Sequence, residues 1–219
     1  MGKIFLSSII LFFLFVGVGS FAQENRAEAP AYKGNESWTY RAVDKLYDGS
    51  SSDLLNGDYE VVFQNGKLEV RYVDGSKKVQ AYRPGILNLM VPTTATLESP
   101  EPPFRFPLWV GQKSDITYLS ERNYLSDRRR SLTAHDVVTD VEMVQTPAGS
   151  FRAFKIERRV QFISGVGNRV EWNLIYDFFY SPDIGSVVKL AFKIEKVFNF
   201  GDRTLERATD IELTDWSPR

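Results

Sequence analysis

From residue 37 onward, apolar and polar positions alternate with a period of two, the pattern of strands that bury one face rather than of helices. Trp38, Tyr40 and Ala42 alternate with Ser37, Thr39 and Arg41, and Tyr59, Val61 and Phe63 with Glu60 and Gln64. Asn65-Gly66 follows at once. Asn-Gly suits the positive φ angles of a type I′ turn, so it predicts a tight hairpin from that strand to Leu68, Val70 and Tyr72. Asp74-Gly75 repeats the signal.

The middle of the chain breaks the alternation. Pro92, Pro100, Pro102, Pro103 and Pro107 remove backbone donors and hold their predecessors extended. Residues 92–108 therefore read as a surface crossing, with room for one short helix at residues 86–90.

Three long alternating runs fill the last third: residues 151–163, 169–180 and 186–200. Their apolar positions are all even-numbered: Phe154, Ile156, Val160 and Phe162; then Trp172, Leu174, Tyr176, Phe178 and Tyr180; then Val188, Leu190, Phe192, Ile194, Phe198 and Phe200. A hairpin centred on Val166 sets Val160 against Trp172 and Ile156 against Tyr176. One centred on Asp183 sets Tyr176 against Leu190 and Leu174 against Phe192. On the other face these registers place Lys155 and Lys189 opposite Asp177, pairs worth about 0.2–1 kcal/mol each, and Glu171 unfavourably opposite Glu195.

The upstream set Val137, Val141 and Met143 is odd-numbered, so it joins the even face only through one extra residue. Thr146-Pro147-Ala148-Gly149-Ser150 can supply it as a bulged turn that pairs Met143 with Phe154. At about 3.3 Å per residue such strands reach roughly 40 Å, and a twisted sheet that long must curl. The expected fold is all-β: a single strongly curved antiparallel sheet, a half-barrel or incomplete barrel with long C-terminal hairpins and little helix.

The amino terminus adds an address. Lys3 is followed by Ile4 to Val18, apolar apart from Ser7, Ser8 and Gly17, and Ser20 and Ala22 occupy the small-residue positions of a cleavage site before Gln23. Residues 1–22 are expected to be a signal peptide, 23–34 a polar flexible leader and 35–216 one β domain; an uncleaved anchor is the alternative. The expected location is the periplasm or the extracellular space. Losing residues 1–22 removes one Lys and no acid, which takes the formal net charge from -1 to -2. A nucleic-acid footprint is absent. With no Cys there is neither a lipidated amino-terminal cysteine nor a disulfide.

Several landmarks carry a family resemblance. Phe106-Pro107-Leu108 with Val110-Gly111-Gln112-Lys113, then Thr146-Pro147-Ala148-Gly149-Ser150-Phe151 with Phe154-Lys155-Ile156, then Tyr180-Ser181-Pro182-Asp183-Ile184-Gly185 with Val188-Lys189, resemble successive motifs of the DUF3108-type cell-envelope proteins. The resemblance spans residues 35–215 and rests on turns and strands. Phe179 stands where that family usually carries Trp, and Asp115 where an aromatic is common. The resemblance implies a curved antiparallel sheet similar to the half-barrel of lipoprotein carriers, without an established activity.

Catalytic and metal chemistry finds little support. His135 is the sole histidine and reads as a solvated residue at a strand start, and a His/Cys zinc site is excluded by composition. Glu157, Glu171 and Glu195 share one face of neighbouring strands and allow a carboxylate-dependent hydrolase, but Lys155, Arg159 and Lys193 interleave with them as in a solvated ionic face. Asp136, Asp140 and Glu142 alternate along one strand without calcium-loop spacing and read as an exposed face. Arg128-Arg129-Arg130 reads as a hairpin tip that allows peripheral contact with anionic headgroups, and Asn35-Glu36-Ser37 matters only in a glycosylating host.

The expectation is non-enzymatic binding, without a cofactor, of an apolar or lipid-like ligand on a concave face lined by Trp172, Tyr176, Phe178, Phe192 and Phe198. The same aromatics serve equally well as a core covered by residues 84–108. A structural or protein-interaction component of the envelope is the alternative.

Overall fold

The computed structural model describes residues 25–32, 34, 36–46, 56–64, 67–73, 104–120, 130–164, 170–197 and 203–217. Among them there is no helix. The strands are β1 (Arg26–Ala27), β2 (Glu36–Leu46), β3 (Gly57–Gln64), β4 (Lys67–Tyr72), β5 (Leu108–Trp109), β6 (Lys113–Ser120), β7 (Arg130–Thr146), β8 (Gly149–Ser164), β9 (Val170–Ser181), β10 (Ser186–Val197) and β11 (Arg203–Ser217). Nine of them form one antiparallel sheet in the order β4-β3-β2-β11-β10-β9-β8-β7-β6, and β1 and β5 pair separately. The sheet does not close into a barrel. It curls far enough, however, for Ala148 in the β7–β8 turn to donate its amide to the Leu213 carbonyl of β11.

The period-two pattern is realised in β2 and β3. Trp38, Tyr40 and Ala42 are buried from β2, and Tyr59 and Val61 from β3. The Asn-Gly hairpin has the expected two-residue connection, with Gln64 opposite Lys67 and Tyr59 opposite Tyr72. The even positions of β8, β9 and β10 form the inner face, with Phe154, Ile156, Val160, Leu174, Tyr176, Phe178, Leu190, Phe192 and Ile194 all buried. Each such side chain stabilises the fold by about 1.5–3 kcal/mol through burial.

The registers differ from the expected ones by two residues, which keeps every side chain on its expected face. Val160 stands opposite Leu174 and Ile156 opposite Phe178; Leu190 stands opposite Phe178 and Phe192 opposite Tyr176. In the second hairpin Ser181 and Ser186 close a four-residue turn, which supplies one residue of the shift, and a bulge between Val187 and Lys189 supplies the other. The polar face is re-paired accordingly. Lys155 faces Phe179 rather than Asp177 and reaches Glu157 at 3.6 Å, and Lys189 pairs with Glu212 at 2.7 Å. The expected Glu171–Glu195 clash does not arise, because Glu195 faces Asn173 and Leu205.

The turn itself pairs odd positions of β7 with even positions of β8, and a bulge inside β7 then ends that pairing. Thr146 faces Gly149 directly, so Pro147 and Ala148 alone make the loop, and the extra residue lies between the Val138 and Asp140 pairs. Val141, not Met143, then stands opposite Phe154. The expected odd-numbered set therefore does not join the inner face as a whole: beyond the bulge the even positions Val138 and Ala134 are buried, Val137 stands opposite Glu157, and Met143 is exposed.

Two further expectations are corrected. The leader is not wholly flexible: Arg26 pairs with Trp109 and Ala27 with Leu108, and Tyr32 donates its hydroxyl to the Gly185 carbonyl at 2.7 Å. Burial of Ala27 and edge-on packing of Tyr32 on Trp38 stabilise this segment. Nor is the end of the proline-rich crossing superficial, because Phe104 and Leu108 are buried in the core. The proposed signal peptide, the short helix at 86–90, Asp74-Gly75, Arg128 and Arg129, Asn35, Phe198 and Phe200 lie outside the described residues.

Candidate functional site

The inner face is roofed by a ribbon without long strands. Phe104 stands edge-on to Phe178, with ring centroids 5.0 Å apart, and to Tyr180 at 6.2 Å. Phe106 stands edge-on to Tyr180 at 5.4 Å. Leu108 enters the same core through its pairing with Ala27.

Beneath the ribbon the strand registers align one row of inward-facing residues across seven strands. Ser114, Asp136, Arg158, Tyr176, Phe192, Thr209 and Asp44 follow one another from β6 to β2. Tyr176 and Phe192 stack at the centre, with centroids 4.5 Å apart and an interplanar angle of 25°. An ion pair flanks them on each side. The Arg158 guanidinium donates from Nε and Nη2 to the two Asp136 oxygens, both at 2.7 Å, and lies over the rings of Phe104 and Phe178. On the other side Arg207 donates to both oxygens of Asp44, and Thr209 adds a third bond at 2.6 Å.

The site residues expected from the sequence fall in different places. Tyr176, Phe178 and Phe192 come together on the inner face but have no exposed surface. Trp172 sits at the margin, half-buried, with the Lys196 ammonium 5.8 Å from its ring centroid. Asp136 is 6% exposed and points inward, which separates it from exposed Asp140 and Glu142 across the β7 bulge. The three glutamates do not converge. Glu157 is held between Lys155 and Arg159, Glu195 lies 3.7 Å from Arg203, and Glu171 faces Ile163 and Val197. His135 is solvent-exposed, 2.8 Å from Asp115.

Sequence reasoning missed Arg158, Asp44 and Arg207, because charged side chains are almost never fully buried unless paired. The available signal was parity: Arg158 interrupts the even-numbered apolar set of its strand. A shallow depression lies beside Asp136, lined in part by Phe104, Gln112, Ser114 and Val138.

Burial raises the phenols of Tyr32, Tyr40 and Tyr180 well above the ordinary tyrosine value. For Tyr32 the neighbouring Tyr180, Tyr40 and Glu36 charges add to the effect. For Tyr40 the hydrogen bond with Ser186 partly opposes it. These tyrosines gather at the β9–β10 turn, where the Trp38 indole also donates to the Ile184 carbonyl.

No family model matches the chain, and no curated protein matches it significantly. The resemblance to DUF3108-type proteins therefore rests on the landmarks themselves. Among solved structures, a Bacteroides fragilis protein assigned as exported and of YmcC-like fold is 12% identical, covers 88% of this chain and 100% of its own, and superposes with a TM-score of 0.34. A Parabacteroides distasonis protein assigned as a lipoprotein is 14% identical over 87% of this chain and 99% of its own, with a TM-score of 0.40. At these scores the likeness decides neither family nor function.

Proposed function

We propose that this chain is an exported envelope protein that works by binding rather than catalysis, and that its ligand is an acyl chain or similar apolar body taken up on the inner face. Export rests on Lys3, the apolar run from Ile4 to Val18 and the small residues Ser20 and Ala22. The observation that carries the binding reading is the roof. Phe178 and Tyr180 are covered by Phe104 and Phe106, which lie outside the strands among the described residues. A ligand that displaces Phe104 and Phe106 meets a wall already shaped for apolar rings, while the paired arginines stay in place below. Apolar pockets with a few fixed polar groups are the usual architecture of such sites.

The full burial of Tyr176, Phe178 and Phe192 favours a second reading, in which the ribbon stays shut and the protein serves as an interaction component of the envelope. Native mass spectrometry on the chain purified from its envelope fraction without detergent separates the two. An acyl-chain mass at one-to-one stoichiometry, with tighter uptake of a fluorescent fatty acid by Phe104→Ala, is expected for the carrier. A bare protein mass together with no uptake by either wild type or Phe104→Ala supports the second reading.

A further inference from the structure

The amino-terminal segment 25–32 and the roof of the inner face hold one another. Arg26 and Ala27 pair with Trp109 and Leu108, and among the described residues β1 is the one strand that pairs with β5. Ala27 and Leu108 are each 3% exposed and belong to the same core as Phe104, Phe178 and Tyr180. At its carboxy-terminal end the ribbon is fixed to β7, where Gly111 donates its amide to the Val138 carbonyl and Val138 donates to that of Gln112. The bonds between the Gln112 side chain and the backbone of Arg105 and Trp109 tie the ribbon to itself.

The two ends of the segment are held differently. Tyr32 donates its hydroxyl to the Gly185 carbonyl at 2.7 Å, and its ring packs on Trp38 and Phe63 with centroids 5.6 and 4.9 Å away. Pro30 and Tyr32 approach Gly185 so closely that a Cβ there would meet them at 3.1 and 3.2 Å. From residue 25 to 29, by contrast, Ala27 is the one buried side chain, a single methyl group between exposed Arg26 and exposed Glu28. Asn25 adds one hydrogen bond, from Arg152 at 3.3 Å.

We propose that residues 25–32 are a latch on the roof, anchored at Tyr32 and released at Ala27. With Ala27 seated, Leu108 is held in the core, and Phe104 and Phe106 stay down on Phe178 and Tyr180. Release of the Ala27 end removes the partner strand of β5 and leaves Gly111 and Gln112 as the ribbon's backbone ties to the sheet among the described residues. The nine-stranded sheet includes neither β1 nor β5, so it keeps its ladders when the latch opens. Segments with few buried contacts open locally before the core does. This regulation rests on the binding reading, because an apolar ligand that prefers the uncovered face draws the latch toward its open state.

The chain has no cysteine, so one introduced thiol reports on one position. Ile156 is 1% exposed and lines the depression beside Asp136 together with Phe104 and Leu108; Ile211 is buried in β11. Maleimide labelling of Ile156→Cys is expected to accelerate roughly tenfold or more when combined with Ala27→Asp, because an unpartnered carboxylate disfavours the seated state. It should keep its rate with Ala29→Asp, at an exposed position of the same segment. Labelling of Ile211→Cys should be the same in all three backgrounds. Equal rates of Ile156→Cys labelling with and without Ala27→Asp, or equal acceleration of both thiols, overturn the inference. So does a chain that Ala27→Asp unfolds, since the segment is then part of the core rather than a latch. In a separate chain, Arg26→Cys/Trp109→Cys joins two directly opposed residues by a disulfide. Uptake of a fluorescent fatty acid should be about tenfold slower or more in the oxidised than in the reduced form, because the open state is withheld. Equal uptake by both forms overturns the latch. Absence of uptake in every form, with the expected labelling pattern, overturns the binding reading and supports the latch, so the two ideas fail separately.

Discussion

Asp136 and Arg158 face each other across β7 and β8 in a two-pronged bridge, each bond 2.7 Å long, on the face of the sheet that carries the aromatic core. Phe104 and Phe178 enclose the guanidinium, with ring centroids 5.5 and 5.4 Å from its carbon. Removing one partner leaves the other charged and buried. Asp136→Ala is expected to cost about 3–5 kcal/mol, whereas Asp136→Leu combined with Arg158→Met is expected to lie near neutral. Urea unfolding of the two variants checks this, and equal losses in both would argue against it.

Tyr40 and Tyr180 are both fully buried but differ in their partners. Tyr40 shares a hydrogen bond of 2.6 Å with Ser186, while the Tyr180 hydroxyl has none among the described residues. A buried hydroxyl without a partner costs about 1–3 kcal/mol of desolvation. Tyr180→Phe should therefore match or exceed wild-type stability, and Tyr40→Phe should fall below it by about 1 kcal/mol. The order of the two melting temperatures decides the point.

The same phenols set an alkaline limit. Tyr32, Tyr40 and Tyr180 keep their protons in the folded state at pH values where the unfolded chain loses them. Their stabilising contribution is complete below the ordinary phenol value of about 10 and declines as pH rises above it. Each phenol adds about 1.4 kcal/mol per pH unit to that decline. Absorbance at the phenolate band should rise together with loss of β-sheet circular dichroism. Ionisation of all tyrosines in a still-folded protein would contradict the burial argument.

Gly185 takes φ of 65°, and a Cβ there would lie 3.1 Å from Pro30 and 3.2 Å from Tyr32. Gly185→Ala should cost about 1–2 kcal/mol for the left-handed backbone alone and should loosen residues 30–32. Proteolysis of the amino-terminal segment should accelerate in this variant more than in Gly111→Ala. Gly111 has φ of 88° but open space around its Cβ position.

Local pattern was enough for the all-β class, the two-residue Asn-Gly connection and the inner face of β8, β9 and β10. Each follows from alternation or turn chemistry within a few residues, and a register slip of two leaves the faces unchanged. The aromatic grouping of Tyr176, Phe178 and Phe192 was legible for the same reason. What required the folded chain depends on contacts distant in sequence. β11 inserts between β2 and β10, and its inward positions Arg207 and Thr209 are polar, so its own pattern conceals its buried face. Arg158 and Arg207 face inward because Asp136 and Asp44 meet them from other strands, and nothing near either arginine in the chain announces its partner. The bulge within β7 and the descent of Phe104 onto Phe178 are likewise settled by packing, because several placements satisfy the local sequence and only the assembled sheet distinguishes them.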